Sequence, residues 1–200
     1  MNNIKLELPN TILIEDSVVI GDNVEIKANT IIRGNSIIGD NVILGPNTEV
    51  IDSIIKDYST IKHSLIINSK IGRNVTIGPF SHIRDNVNIN DFVRIGNYVE
   101  LKNSEIDENT KISHLSYVGD SEIGRNVNVG AGVITCNYDG KKKNKTVIKD
   151  NVFIGSNSSL IAPLIINENS KIAAGSTITK DVEKNTLAIA RAYQLNKQYK

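Results

Sequence analysis

One stretch of the chain contains the residue types that acid–base chemistry requires. Residues 113–139 read SHLSYVGDSEIGRNVNVGAGVITCNYD and include His114. The ordinary pKa of an imidazole lies near neutrality, so His114 is suited to act as a general base. The stretch also holds closely spaced glycines and the single cysteine of the chain, Cys136, and it leads into an Asn-Tyr-Asp-Gly turn that interrupts a regular repeat. We therefore expect the chemistry of the protein to be centred on this stretch.

The elements that must position this stretch follow from a six-residue repeat of aliphatic residues. Gly often stands directly after the aliphatic residue, and a small or β-branched residue often stands four places after it. The repeat skips one residue at several points and has a longer gap after Val129. Its aliphatic positions are Ile14, Ile20, Ile26, Ile32, Ile38, Leu44, Val50, Ile55, Ile61, Ile71, Ile77, Ile83, Ile89, Ile95, Leu101, Ile106, Ile112, Val118, Ile123, Val129, Ile148, Ile154, Leu160, Ile166, Ile172 and Ile178.

A period of six matches neither the 3.6-residue period of a helix nor the two-residue alternation of a simple strand. It fits one short strand followed by one tight corner, where Asn and Gly tolerate left-handed backbone angles. The large aliphatic residues then point inward and stack on their equivalents in the next coil. We predict an all-β fold, a parallel β-helix with three hexapeptides to a coil, in one domain over residues 1–200.

The repeat also sets expected bounds for the parts of this domain. Regular coils are expected over about 14–182. Residues 1–13 and 183–200 leave the pattern and are predicted to form caps, the second of them as a C-terminal arm. The segment from Cys136 to Thr146 is predicted to be a loop insertion, and loops on rigid scaffolds commonly carry function.

The overall composition excludes several classes of partner. The chain has 23 basic and 22 acidic residues and a net charge of +1, so bulk charge does not draw it to nucleic acid or to an anionic membrane. It has no hydrophobic run near the length that a bilayer requires, and its start, MNNIKLELPN, lacks the apolar region of a secretory signal. One cysteine allows no internal disulfide. We expect a cytoplasmic protein.

Four segments are informative in their order and spacing. They are IGPFSHIRDN at 77–86, RIGNYVELKNS at 94–104, the stretch around His114 extended to the CNYDG sequence, and VFIGSNSSLIAPLII followed by IAAGSTITKDV. Together they resemble the C-terminal acetyltransferase half of the bifunctional N-acetylglucosamine-1-phosphate uridyltransferase/glucosamine-1-phosphate acetyltransferases. The likeness runs from about Leu8 to about Asn196.

The resemblance implies a fold and a reaction. It implies the left-handed form of the β-helix, packed as a homotrimer with sites at the subunit interfaces. The implied reaction is acetyl transfer from acetyl-coenzyme A to the amine of glucosamine-1-phosphate. The product, N-acetylglucosamine-1-phosphate, serves the synthesis of UDP-N-acetylglucosamine and of the cell envelope. No catalytic metal is expected in this domain, and the uridyltransferase half is expected to be absent.

The resemblance also implies roles for individual residues in the acceptor site. His114 matches the proton acceptor. Arg84 and Lys102 match contacts to the substrate phosphate, and Tyr117 and Asn128 match sugar-binding positions. The resemblance further implies that one loop lysine, Lys143, reaches the substrate in the site of another subunit. An alternative for the charged residues is that they are solvated corners of the prism.

A second set of residues matches the family's coenzyme A contacts. The backbone N–H of Ala131 is expected to stabilise the oxyanion that develops on the thioester. Small residues at such positions would let the pantetheine arm lie against the backbone, although corners that must stay small explain them almost as well. The expected coenzyme A contacts are Ala131, Asn137, Tyr138, Ser156, Ala174 and Arg191.

Two neighbours of these positions depart from the family pattern. Asp85 follows Arg84 where the family usually has Pro, and Ser113 precedes His114 where the family often has Gly. Three other readings stay open. They are a metal enzyme of the same fold with three histidines on zinc, a coenzyme A acyltransferase that acts on a different amino sugar, and a non-catalytic solenoid.

Overall fold

The fold is a left-handed parallel β-solenoid of about ten turns, as the repeat and the resemblance predict. A computed structural model describes residues 3–199. Within them the one helical element is a 3-10 turn at Pro9–Thr11, so the all-β prediction is confirmed. The same range contains no helix with the length and apolar character needed to cross a membrane.

Three flat faces form the solenoid, and we name them A, B and C. Face A consists, in chain order, of β1 (Ile4–Leu6), β4 (Val24–Ile26), β7 (Ile43–Leu44), β10 (Thr60–Ile61), β13 (Thr76–Ile77), β16 (Arg94–Asn97), β19 (Lys111–His114), β22 (Asn128–Val129), β25 (Phe153–Ile154), β28 (Lys171–Ile172) and β30 (Leu187–Ala188).

Along the chain, strands of faces A, B and C succeed one another in that order. Each strand pairs in parallel with the equivalent strands one coil away. Face B consists of β2 (Leu13–Ile14), β5 (Ile31–Arg33), β8 (Glu49–Ile51), β11 (Leu65–Ile67), β14 (His82–Arg84), β17 (Glu100–Lys102), β20 (Tyr117–Gly119), β23 (Ile134–Cys136), β26 (Ser159–Ile161) and β29 (Thr177–Ile178). Face C consists of β3 (Val19–Ile20), β6 (Ile37–Ile38), β9 (Ile54–Ile55), β12 (Lys70–Ile71), β15 (Asn88–Ile89), β18 (Glu105–Ile106), β21 (Ser121–Ile123), β24 (Thr146–Ile148) and β27 (Leu164–Ile166).

The core is a set of aliphatic columns that run the length of the solenoid. On face A, Ile77 pairs with Ile95, Ile95 with Ile112, and Ile112 with Val129. These four side chains are at most 4% exposed. Because side chains alternate across a strand, the residues on either side of each inward position point to solvent. The register of the core therefore fixes which residues the three faces present.

The corners depend on residues with left-handed backbone angles. Asn occupies many of these positions, for example Asn74 and Asn126 with φ of 55° and 54°. Asn tolerates this conformation better than most residues that carry a Cβ. Side-chain amides also form ladders along a corner, since Asn126 donates to Asn151 and Asn151 to Asn169, each at 3.2 Å. The corners are thus reinforced from coil to coil.

Paired strands reach beyond the range 14–182 that the repeat predicts. At the start, Ile4 pairs with Val24, and at the end, Lys171 pairs with Leu187. Parallel pairing uses backbone groups, so it continues where the aliphatic pattern fades and the side chains become exposed. The insertion predicted for Cys136 to Thr146 lies between β23 and β24.

The core columns predict where truncation destabilises the fold. Replacing Ile95, which is 1% exposed, with Ala should cost about 2–5 kcal/mol, because it leaves a cavity between two coils. Replacing Ile37, which is 44% exposed on face C, with Ala makes the same chemical change and should cost about 0.5 kcal/mol. The shift of the denaturant midpoint measures both. Equal losses from the two variants would contradict the assignment of inward and outward positions.

Candidate functional site

The corner between faces A and B places His114 in a column that continues below it with small residues. In successive coils the column contains Asn97, His114, Ala131, Ser156 and Ala174. Each carbonyl along it accepts a backbone N–H from the next coil. The bonds are Leu115 N to Asn97 O at 3.0 Å, Gly132 N to His114 O at 3.3 Å, Asn157 N to Ala131 O at 2.7 Å and Gly175 N to Ser156 O at 2.8 Å. The structure thus brings His114 and three of the expected coenzyme A contacts, Ala131, Ser156 and Ala174, to one corner.

His114 is oriented by the residue directly above it in the column. The Oδ1 atom of Asn97 lies 2.7 Å from Nδ1 of His114. An amide oxygen only accepts hydrogen bonds, so in the neutral imidazole Nδ1 carries the proton and Nε2 has the lone pair. The His114 side chain is exposed. The arrangement leaves a basic nitrogen that is open to a ligand.

The column below His114 offers backbone donors. Within residues 3–199, the N–H groups of Ala131, Ser156 and Ala174 have no hydrogen-bond partner. The equivalent N–H at the C–A corner is capped by a carboxylate of the next coil, as when Arg73 N donates to Asp91 Oδ1 at 2.7 Å. A small side chain at a corner does not by itself leave the backbone N–H uncapped. The uncapped N–H groups at the A–B corner are available to bind carbonyl oxygens of a ligand.

Arg191 lies at the lower end of this column. A Cβ built on Gly175 would lie 3.9 Å from Cδ of Arg191, so the arginine stem passes over that glycine. At about 4.8 Å per coil, His114 and Arg191 are separated by roughly 19 Å along the solenoid. A long extended ligand with a negative charge at its far end would match this span.

Face B presents a cluster of cations next to His114. Arg84, Lys102 and Gly119 occupy one outward row, with Arg84 paired to Lys102 and Lys102 to Gly119. Tyr117 occupies the neighbouring outward row and pairs with Glu100. The phosphate-binding residues and one sugar-binding residue of the sequence prediction therefore share a face.

Acidic side chains accompany these cations. Nε and Nη2 of Arg84 donate to Glu100 at 3.0 and 2.7 Å, and Nη1 donates to Asp85 at 2.7 Å. These contacts raise the pKa of Arg84, chiefly through the hydrogen bond to Glu100. The same Asp85 oxygen lies 3.8 Å from Nζ of Lys102. Neither Glu100 nor the Asp85 contact follows from the residue spacing alone.

Tyr117 lies flat over the backbone because Gly119 leaves room for it. A Cβ at Gly119 would lie 2.8 Å from Cζ of Tyr117 and 2.7 Å from Nδ2 of Asn137. Nδ2 of Asn137 donates to Asp120 at 2.5 Å and to the Tyr117 hydroxyl at 3.4 Å. Gly119 and Asn137 thus position the ring.

The insertion folds back on itself at the B–C corner. Tyr138 pairs with Lys143 in an isolated antiparallel bridge, and Asn144 N donates to Asn137 O at 2.7 Å. Asp139 accepts the N–H groups of Lys142 and Lys141 and the amide of Asn144, which together lower its pKa to about 2. Its support for the loop is therefore present at neutral pH and is lost only as the pH falls toward 2.

Lys143 joins the cation cluster of its own chain. Its ammonium lies beside that of Lys102 and lowers the pKa of Lys102, with a smaller contribution from Arg84. Like charges so close repel each other, and the carboxylates of Asp85 and Asp120 nearby offset part of this repulsion. The role expected for Lys143 in another subunit's site stays a prediction.

Two expected site residues point elsewhere. Asn128 lies outward on face A, between Lys111 and Phe153, and faces away from Arg84 on face B. Tyr138 is 62% exposed at the outer side of the insertion. A single chain therefore does not bring all of the expected site residues together.

The sequence prediction missed Asn97, Glu100 and Asp120 as partners of the site residues. The sequence could have predicted the role of Asn97, since a coil of 17 residues puts Asn97 directly above His114. The other two act through side-chain conformations that the repeat does not specify.

The three histidines do not converge. His63 packs on Phe80 with ring centroids 5.5 Å apart. His82 lies on β14, two coils from the coil of His114, because His82 pairs with Glu100 and Glu100 with Tyr117. Within residues 3–199, no three His, Cys, Asp or Glu side chains are grouped so that they could hold a metal ion. The zinc-histidine alternative has no support in this geometry.

The contact between Asn97 and His114 predicts a tautomer. Replacing Asn97 with Ala should mix the two neutral tautomers of His114 and lower any turnover that depends on its Nε2 by about tenfold. Nitrogen NMR of the histidines reads the tautomer, and a thiol-release assay reads the rate. Asn47, whose Nδ2 lies 3.4 Å from Nδ1 of His63, provides a matched control in Asn47→Ala. An unchanged His114 spectrum in Asn97→Ala would contradict the assignment.

Comparison with known proteins adds relatives and a fold neighbour. The chain is 52% identical over 150 residues to the "Bifunctional protein GlmU" of Listeria monocytogenes serotype 4b, which covers 75% of this chain and 33% of that protein. It is 52% identical over 149 residues to the protein of the same name from Caldicellulosiruptor saccharolyticus, covering 74% of this chain and 32% of that protein. The chain thus spans about a third of the length of these relatives.

A solved structure agrees on the fold. The UDP-N-acetylglucosamine acyltransferase of Francisella novicida superposes with a TM-score of 0.56 at 18% identity, covering 92% of this chain and 66% of that one. The pattern of the bacterial transferase hexapeptide family, described as six repeats, matches residues 17–52, 68–103 and 145–180. The resemblance that the motifs predict is confirmed, and the chain belongs to the bacterial transferase hexapeptide family.

Proposed function

We propose that this chain is a glucosamine-1-phosphate N-acetyltransferase that uses acetyl-coenzyme A. The observation that supports this most directly is the A–B corner, where the open Nε2 of His114 stands above uncapped backbone donors. A relative 52% identical over 150 residues is named a bifunctional protein, which fits a chain that corresponds to one of two functional parts. The product would feed the synthesis of UDP-N-acetylglucosamine and of the cell envelope, and the lone cysteine fits the reducing cytoplasm.

His114 acts as the general base in this proposal. Its Nε2 removes a proton from the sugar amine as the amine nitrogen attacks the thioester carbonyl. Asn97 keeps the proton on Nδ1, so that the lone pair of Nε2 faces the amine. The N–H of Ala131, one coil below, donates to the oxygen on which negative charge develops. The carbon–sulfur bond then breaks, and the coenzyme A thiolate leaves.

The column of small residues holds acetyl-coenzyme A in this proposal. The free N–H groups of Ser156 and Ala174 bind polar atoms of the extended arm, and Arg191 binds a phosphate at its far end. Asn137 and Tyr138 lie on the insertion at the B–C corner, away from this column, so their proposed coenzyme A contacts are made to the ligand of another copy. The lack of side chains beyond Cβ at Ala131 and Ala174 keeps the path along the corner open.

Arg84 and Lys102 bind the phosphate of the acceptor, and Tyr117 contacts its sugar ring. Arginine can hold a phosphate through two parallel hydrogen bonds, whereas lysine acts as a point charge. An anion between Lys102 and Lys143 would relieve the repulsion of these two ammonium groups. The cation cluster therefore suits a negatively charged acceptor.

A homotrimer completes the site in this proposal. Asn128 on face A and Tyr117 on face B diverge within one chain, so a ligand that touches both requires a second copy. Large apolar side chains are exposed along the A–B corner, with Phe80, Tyr98 and Leu115 at 54%, 56% and 60% exposure. They supply a surface on which another copy can pack. Lys143 of one copy then has the opportunity to reach the site of the next.

The test of this function is thiol release from acetyl-coenzyme A. Glucosamine-1-phosphate is compared with glucosamine, glucosamine-6-phosphate and no acceptor. Release that depends on the amino sugar and is fastest with the 1-phosphate is the expected result. No release with any acceptor from a folded trimer would favour the non-catalytic alternative, and equal rates with all amines would favour a different acceptor.

The proposal predicts the effect of removing the base. His114→Ala should lower kcat by about 10²–10⁴-fold, because no other group is placed to take the proton. His63→Ala is the matched control, since His63 lies at the same corner but far from the column of free donors, and it should retain full activity. Full activity of His114→Ala in the thiol-release assay would overturn the assigned mechanism.

A further inference from the structure

Asp85 spans the two cations that the proposed function assigns to the acceptor phosphate. Its Oδ2 atom lies 2.7 Å from Nη1 of Arg84 and 3.8 Å from Nζ of Lys102. One carboxylate oxygen therefore contacts both groups from the solvent side. The Asp85 side chain is 50% exposed, whereas those of Arg84 and Lys102 are 28% and 18% exposed. The carboxylate is thus the outermost and most displaceable member of the three.

The backbone at Asp85 has an unusual conformation that directs this side chain. Asp85 and Asn86 have φ of 58° and 64°. Within residues 3–199, this is the one place where two consecutive non-glycine residues both have positive φ. Asp and Asn tolerate this conformation better than most residues that carry a Cβ. The second left-handed residue matches the local spacing, since the segment from Ile83 to Ile89 has one residue more than the equivalent segment that follows Leu101.

The charges of the cluster balance when Asp85 is counted. Three cations and three carboxylates lie together at the edge of face B and the B–C corner, so the group has no excess charge for an incoming phosphate. Without Asp85 the group would carry one net positive charge. Its members are Arg84, Lys102 and Lys143 on one side and Asp85, Glu100 and Asp120 on the other.

We propose that Asp85 is a specificity-determining residue that competes with the acceptor's phosphate for Arg84 and Lys102. This inference rests on the proposed function, and it concerns which acceptor the same site prefers. An acceptor with a doubly charged phosphate monoester must displace the carboxylate, whereas an amino sugar without a phosphate leaves it in place. Asp85 therefore narrows the advantage of phosphorylated over unphosphorylated acceptors.

The size of the effect follows from the exposure of the ion pair. Partly exposed pairs contribute little, so the carboxylate weakens phosphate binding without abolishing it. Removing its charge should improve the preference for the phosphorylated acceptor by about fivefold. A larger effect on phosphate binding would require a buried ion pair, and the Asp85 side chain is half exposed.

Asp85→Asn is the variant that isolates the charge. Asn has the same shape and tolerates left-handed backbone angles, so the turn is retained, and Asp85→Gly serves as a second variant if the first folds poorly. Asp16→Asn is the control. It makes the same charge change at an exposed position of the same B–C corner, four coils away from Asp85. Thermal melting checks that each variant is folded.

The experiment measures two quantities for the wild type and for each variant. Calorimetry gives the Kd of glucosamine-1-phosphate and of glucosamine, and thiol release gives kcat/KM for both acceptors. In Asp85→Asn the ratio of kcat/KM for the phosphorylated over the unphosphorylated acceptor should rise about fivefold, with a matching fall in the Kd of glucosamine-1-phosphate. Asp16→Asn should leave both ratios within twofold of the wild type.

Three results would overturn the proposal. The first is an unchanged ratio in Asp85→Asn, the second an equal change for both acceptors, which indicates a role in shaping the pocket, and the third no measurable binding of glucosamine-1-phosphate to either protein. Failure of the proposed function has a different signature. In that case neither acceptor supports thiol release, while calorimetry still compares the wild type with Asp85→Asn.

Discussion

The stacking of inward aliphatic residues in register is the constraint on which the rest of the structure depends. Ile77, Ile95 and Ile112 lie on one another at 2% exposure or less, and each coil buries its side chains only against its neighbours. A shift of one residue would turn the inward set to solvent. The same register therefore decides that Arg84 and Lys102 are neighbours on face B and that His114 follows Asn97 at a corner.

The corners convert this regular core into a candidate site. At the C–A corner, aspartates such as Asp91 cap the N–H groups that the turn leaves unpaired. At the A–B corner below His114, the equivalent N–H groups of Ala131 and Ser156 are uncapped. The difference leaves a line of donors beside a basic nitrogen, and donors of this kind can stabilise a developing oxyanion.

The charged side chains on face B hold one another in position. Glu100 holds the guanidinium of Arg84 in place, and the insertion brings Lys143 to Lys102, where repulsion lowers the pKa of Lys102. Asp85 then balances the group from the solvent side. In the proposed site, an anionic acceptor exchanges with the Asp85 carboxylate, so the strength of binding would depend on that carboxylate as well as on the cations.

The sequence by itself determined the fold and most of the columns. A six-residue period with Asn and Gly at corners permits few other folds, while the family resemblance supplied the handedness and grouped Ala131, Ser156 and Ala174 with His114. Only the tertiary structure decided the conformations that depend on side chains from different coils. The hydrogen bond from His114 to Asn97, the contact of Asp85 with both cations and the position of Lys143 beside Lys102 all join residues that a repeat pattern treats as interchangeable outward positions. The reason is physical: the repeat constrains inward residues through packing, whereas the rotamers of outward residues are set by charges and hydrogen bonds that exist only once neighbouring coils are in place.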